Sequence, residues 1–292
     1  LNKNRVFNNK IQKSGYLYQK TKRSLLQNMV ASCIFAFQKI SNTYIMFEFL
    51  TQRRTIRNYS KQTIDTKLLQ QILEAGAQSS NTGNMQAYSV VVTTDEDLKK
   101  QLSPAHFNQP MVMQAPVVLT FCADFNRITQ WCKQRNAEPG YANFQSFMAA
   151  AVDAFIFAQT VAIAAETAGL GICYLGTTTY NAQEIIDTLQ LPQLVVPVTT
   201  LTLGYPEITP AITDRLPLAS VVHFETYKDF TPETIDTLYL EKEELDFYKK
   251  FVVDNNKETL AQVFTDVRYT KKNNEFFSEK FYKALEQQGF IQ

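Results

Sequence analysis

The feature that most restricts the fold of this chain is a run from about Gln145 to Ala168, apolar on nearly every face and interrupted by Asp153, Gln159 and Glu166. A helix with no polar face is either buried in a core or set in a membrane. Two carboxylates inside the span are costly in lipid, and Gly169 and Gly171 end the helix promptly. The run is therefore predicted as a buried core helix, with no membrane association. Its alanines also let a second helix approach closely, which allows a dimer seam along it.

The flanking text reads as regular structure from Met46 onward. Asp65 is a good N-cap for Leu68, Leu69, Ile72 and Leu73 at helical spacing, and Gly76 ends that helix. A polar turn over Ser79 to Asn84 precedes a β-branched strand, Tyr88 to Thr94, and Asp95 and Asp97 open another polar helix. Pro116 introduces a second strand, Val117 to Ala123. The β-branched density of both strands predicts that they are central in their sheet. A short helix over Ala182 to Leu189 and a third strand over Val195 to Leu203 come next. From Tyr227 the chain is charged and aromatic, with helical stretches around 241–251, 260–267 and 276–287, as expected of a tail that wraps or docks. Residues 1–45 stand apart. They begin with Leu, lack a helical or strand period, and hold one apolar run, Val30 to Phe37, too short to span a bilayer. The basic stretch ending at Arg23 with that run imitates a secretory signal, but no small-x-small pattern follows it cleanly. The expected organisation is a leader or disordered extension over 1–45, a main domain over 46–226 and a helical tail over 227–292.

Composition excludes several functions. Lys and Arg number 29 against 28 Asp and Glu, so no uniform field draws in nucleic acid. Cys33, Cys122, Cys132 and Cys173 form no CxxC pair, and His106 and His223 are the only histidines, so neither a zinc site nor a disulfide framework is expected. A reducing, cytoplasmic compartment fits best. No nucleophile elbow accompanies the histidines, which read as loop or surface residues, so hydrolysis lacks a base. Asp153 and Glu166 lie several turns apart and are read as individually satisfied or interface residues.

Three clusters can bear chemistry. Arg53, Arg54, Thr55 and Arg57 offer guanidinium forks and a hydroxyl, the groups a phosphate monoester needs, and equally make up a solvated basic stretch. Ser79 to Asn84 presents hydroxyls and amides, for which turn chemistry alone is the simpler reading. Gly169 to Thr177 lets backbone approach a flat ligand, but the Rossmann order of strand, glycines and helix is absent.

In their order along the chain these segments resemble the nitroreductase family, within it the larger branch of oxygen-insensitive NADPH nitroreductases and flavin reductases. The resemblance runs from Met46 to the C-terminus. It rests on Arg53-Arg54-Thr55-Ile56-Arg57, the Ser79-Ser80-Asn81 turn, Phe121 to Arg127, the Ala-rich helix into Gly169-Leu170-Gly171, and Leu203 to Pro206 before Arg215-Leu216-Pro217. The implied fold is α+β, a mostly antiparallel central sheet flanked by helices, with a domain-swapped tail embracing the partner in a homodimer. The implied cofactor is FMN, with NADPH or NADH as donor. Arg53, Arg54, Thr55 and Arg57 would hold its phosphate and the pyrimidine side of its ring. Ser80 and Asn81 would touch the ring or ribityl region, Gln109 would reach the flavin from its loop, and Leu175, Gly176 and Thr177 would lie against the ring. Arg215 would bind the phosphate from the far side, where Thr213 replaces a usual basic residue. Thr55 stands for the usual Ser, and Thr177 for a common Gly. Thr82, Lys257 and Arg268 are candidates for substrate contacts.

The implied activity is NAD(P)H-dependent reduction of nitroaromatics, quinones or flavins by two-electron hydride transfer through flavin N5, in an alternating cycle on one exposed face. A guanidinium near N1 and O2 stabilises the anionic reduced ring, so no catalytic side chain is needed. Phe251 to Lys257 holds only one basic residue, which leaves NADH against NADPH open. A dedicated reductase of free FMN and a non-catalytic flavin redox sensor remain alternatives.

Overall fold

The computed structural model describes residues 46–291. The expected leader, with Cys33, lies outside the described residues. The chain divides into two units, Leu1–Arg53 and Arg54–Gln292. In the first, residues 46–51 are helical. The second holds the sheet and all the other helices.

The second unit's first helix, α1 (Thr66–Ala77), starts where expected. The Asp65 carboxylate accepts from Lys67 N at 2.9 Å and Leu68 N at 3.0 Å, satisfying amides that have no partner inside the helix. Four strands, β1 (Tyr88–Thr93), β2 (Val117–Asp124), β3 (Gly171–Leu175) and β4 (Val195–Gly204), form one antiparallel sheet in the order β1-β2-β4-β3. Every residue of β2 and β4 is buried, as their apolar runs require. The expectation of a central position fails for β1, which is an edge strand of this sheet with Val92 39% exposed. β-Branched residues suit any half-buried pleated surface, so their density does not report the order of strands.

The long run is α5 (Phe144–Thr167), after α2 (Glu96–Leu102), α3 (Pro110–Gln114) and α4 (Asn126–Gln134). By length and composition α5 could cross a membrane, yet it lies in the core. Ala150, Ala154, Phe157, Ala158, Val161 and Ala162 pack with Leu119, Phe121, Leu201 and Leu203 of the sheet. Phe157 stacks on Tyr88 at 4.5 Å and meets Phe121 edge-on at 5.4 Å. α1 crosses α5 at Gly76, where an added Cβ would stand 2.3 Å from Val161 Cγ2. Phe144, Met148, Val152, Phe155 and Ile156 form an exposed apolar stripe on the opposite face of α5.

After α6 (Ala182–Leu189), the tail carries α7 (Pro232–Glu244), α8 (Asp246–Asp254), α9 (Leu260–Val263), a π turn over Phe264–Arg268 and α10 (Lys271–Gln287). The stretch expected as one helix around 241–251 is two, because Leu245 has an extended ψ of 130° and breaks the hydrogen-bond ladder. α10 returns to the main body: Ala284 packs with Ala182 and Ile186, while Leu285 and Phe290 join the main core beside Phe147.

Candidate active site

The arginine segment is fastened to β3. Ile56 N donates to Ile172 O at 2.9 Å, and buried Ile56 occupies the space that a Cβ on Gly171 would need, 2.6 Å away. Beneath it the Tyr59 hydroxyl lies 2.8 Å from Ile56 O and 2.7 Å from Thr202 Oγ1, and burial pushes its pKa up, keeping it protonated. Arg57 reaches the Cys173 thiol, whose pKa burial raises despite that guanidinium. Half-buried Arg54 keeps its Nε out of solvent with no hydrogen-bond partner among the described residues. An orphaned guanidinium nitrogen is costly, and an anionic ligand beside Arg57 would satisfy it. Arg53 is the last residue of the first unit.

β3 ends at Leu175 and leads directly into Gly176 and Thr177. Gly176 is exposed and a Cβ there would meet nothing within 4 Å, so a flat ligand can approach the backbone. Thr177 meets the loop before α3. Its Oγ1 lies 2.9 Å from His106 Nδ1 and accepts from Gln109 Nε2 at 3.5 Å. That loop is tightly specified. Phe107 and Asn108 both adopt left-handed backbone, φ 54° and 53°, Asn108 N donates to Ser103 O at 2.8 Å, and Asn181 Nδ2 donates to Ala105 O at 2.8 Å. Such backbone persists only where its surroundings over-determine it.

His106 corrects the sequence reading. Expected in a loop or at the surface, it sits in a 3-10 turn with 0% exposure, and burial pushes its pKa down to about 4. No periodicity marks this position, because the burial comes from Thr177 and the Asn181 bond, about 70 residues away in sequence. His223 is half-buried in a loop, its ring tilted against Tyr227 with centroids 4.3 Å apart.

The structure bonds the segment carrying Arg54, Thr55 and Arg57 to β3 through Ile56, sets Arg57 against Cys173, and joins Thr177, just past the end of β3, to Gln109. The other candidates lie elsewhere. Thr82 N and Oγ1 both donate to Oδ1 of buried Asp153, at 2.9 and 3.0 Å, so the turn carrying Ser80 and Asn81 is stapled to α5. Asn81 Oδ1 accepts from Gln86 N at 3.2 Å, closing the turn on itself. Asp153, read from the sequence as an individually satisfied or interface residue, is a supporting residue whose partner is Thr82.

Arg215 curls back on its own backbone, Nη1 donating to Thr213 O at 3.1 Å and Asp214 O at 2.8 Å. Asp214 accepts from Lys242 Nζ at 2.7 Å and Tyr248 OH at 2.9 Å, which fastens this segment to α7 and α8 and holds the Asp214 carboxyl below its ordinary range. In the tail Lys257 pairs with Asp266 at 2.9 Å and Arg268 lies over the Phe251 ring at 4.6 Å. Among the described residues no group of three His, Cys, Asp or Glu could hold a metal ion.

Comparison with known proteins decides the family. The model described as "Nitroreductase family" matches residues 50–205. The chain belongs to the nitroreductase family. Among curated members, FMN reductase [NAD(P)H] of Bacillus subtilis is 38% identical over 180 residues, 61% of this chain and 72% of that protein. The oxygen-insensitive NADPH nitroreductase of Salmonella typhimurium is 33% identical over 62% of this chain and 74% of its own. Among solved structures, a Bacteroides fragilis protein shares 57% identity at a TM-score of 0.83, covering 84% of this chain and 100% of the other. The α+β fold inferred from the sequence is the nitroreductase fold, with an antiparallel sheet and flanking helices.

Proposed function

We propose that this nitroreductase is an FMN-dependent NAD(P)H oxidoreductase that reduces small organic acceptors such as nitroaromatics, quinones or flavins. The observation that carries the reading is the buried Nε of Arg54, without a partner among the described residues, in a segment bonded through Ile56 to β3, the strand that ends just before the open backbone at Gly176. These residues fit a ligand with an anionic group at one end and a flat ring at the other. FMN, when bound, supplies the exchange of electron pairs between nicotinamide and acceptor. The chain's own part is to bind and orient. Arg53, Arg54, Thr55 and Arg57 take the phosphate and the pyrimidine edge, and Leu175, Gly176, Thr177 and Gln109 line the ring. No side chain is assigned as acid or base, which suits a neutral buried His106 and the buried Cys122 and Cys173.

Ser80, Asn81 and Arg215 have no hydrogen bond to this stretch in one protomer. They complete the site in a homodimer formed along the exposed stripe of α5, with residues 227–292 embracing the partner and Thr82, Lys257 and Arg268 near the substrate. The free cysteines suit a reducing cytoplasm. A reductase dedicated to free FMN is the second reading, favoured by the activity named for the Bacillus subtilis relative.

The test is an anaerobic visible spectrum of purified protein titrated with NADH and, separately, NADPH. A flavin band bleached by at least one nucleotide is expected, and a colourless protein that refuses added FMN overturns the reading. Turnover of free FMN far above that of quinones would select the second reading.

A further inference from the structure

Thr177 stands between two groups of unequal donor capacity. A threonine oxygen has one proton to give and two lone pairs to accept with. Gln109 Nε2 donates to it at 3.5 Å, and His106 Nδ1 lies 2.9 Å away. The direction of the second bond is set by the far side of the imidazole. His106 is fully buried, and its Nε2 has no partner among the described residues. If Thr177 donated to Nδ1, the neutral ring would carry its proton on Nε2, a buried N–H with no acceptor. If Nδ1 carries the proton, Nε2 is a bare lone pair. Orphaned buried donors are rarer than under-satisfied acceptors. Nδ1–H therefore donates to Thr177, whose oxygen accepts twice. Its own proton is then left for a third partner, and no acceptor among the described residues takes it. Thr177 is only half-buried and adjoins the open backbone of Gly176.

We propose that Thr177 is a hydrogen-bond donor to the ligand of this site, its hydroxyl proton turned outward by His106 and Gln109 toward a carbonyl oxygen or ring nitrogen of the bound flavin. Only the identity of that acceptor rests on the flavin reading; the arrangement of donors does not. His106 and Gln109 are then positioning residues, and the strained Phe107–Asn108 backbone holds both against Thr177. A donor aimed at a ring whose acceptor atoms gain charge on reduction favours the reduced form. The effect belongs to this chain's threonine side chain and is separate from any contact made by its backbone.

Two measurements test this. Nitrogen NMR of imidazole-labelled protein reads the tautomer directly, with a His223→Gln variant assigning the two histidines. Nδ1–H is expected for His106, and Nε2–H overturns the proposal whether or not flavin binds. The second is the two-electron midpoint potential of bound FMN in the wild type, Thr177→Val and Thr177→Ser. Valine is expected to lower the preference for reduced over oxidised FMN by about tenfold, about 30 mV for a two-electron couple, and serine to restore it. A valine variant with the wild-type potential overturns the proposal. Wild-type protein that binds no FMN instead overturns the flavin reading, and the tautomer then still decides the direction of the Thr177 bond.

Discussion

His106 shows how a single side chain acquires its properties from contacts distant in sequence. Its imidazole is held neutral because burial removes the water that would solvate a charge. The consequence for stability has a definite sign. The folded pKa of about 4 lies below the ordinary value of 6.5, so between these pH values the unfolded chain binds the proton and the folded one does not. Stability from this residue is complete above about pH 6.5 and is lost as pH falls toward 4, by about 3 kcal/mol in all. Urea titrations from pH 7.5 to 4.5 check it: the His106→Gln variant should show a smaller loss over that window than the wild type. Asp153 makes a parallel case. Its carboxylate receives two donors from Thr82, and Asp153→Ala removes the acceptor of both, on a turn where Thr82 itself is exposed. A loss of about 1–3 kcal/mol is expected by chemical denaturation, with Asp153→Asn recovering most of it because an amide oxygen still accepts. The burial of His106 and the partner of Asp153 were not legible for one reason: a polar residue's burial and partners depend on which distant segment arrives beside it.

At the scale of elements, the site depends on how closely β3 and the arginine segment approach. Gly171 permits that approach, since a Cβ there would stand 2.6 Å from Ile56 Cβ. Gly171→Ala should displace residues 54–57 and weaken FMN binding by about tenfold or more, roughly 1.4 kcal/mol. The fold itself should survive, because β2 and β4 form the centre of the sheet. Flavin fluorescence titration with circular dichroism separates the two effects; unchanged affinity in a folded variant would show that the arginines are not held by this contact. The element boundaries were largely legible. Asp65 and Asp95 cap the helices that their sequence positions announce, and the apolar run became α5 almost to the residue. The position of β1 at an edge and the break at Leu245 were not, since neither propensity nor composition encodes which strand pairs with which or where a helix must turn to reach the core.

For the whole molecule, α5 presents two apolar faces, and among the described residues only the inner one is covered. The outer stripe through Met148, Val152 and Phe155 is where the proposed second copy lies. Val152→Glu puts a charge in the middle of that stripe, at a residue 49% exposed in the protomer, so folding should be little affected. Light scattering after size exclusion should then report a monomer, and FMN retention should fall with it, because Ser80, Asn81 and Arg215 would be left apart from the arginine segment. A wild-type monomer would remove the dimer from the proposal. What the sequence determined by itself was local and compositional: capped helices, apolar strands, a core helix too carboxylate-rich for lipid, and a set of motifs ordered as in nitroreductases. What only the tertiary structure decided was convergence. Arg57 is set against Cys173, and Thr177 against His106 and Gln109 on a strained loop, and contacts across such sequence distances are settled by packing and chain entropy over the whole fold, which no local pattern of residues carries.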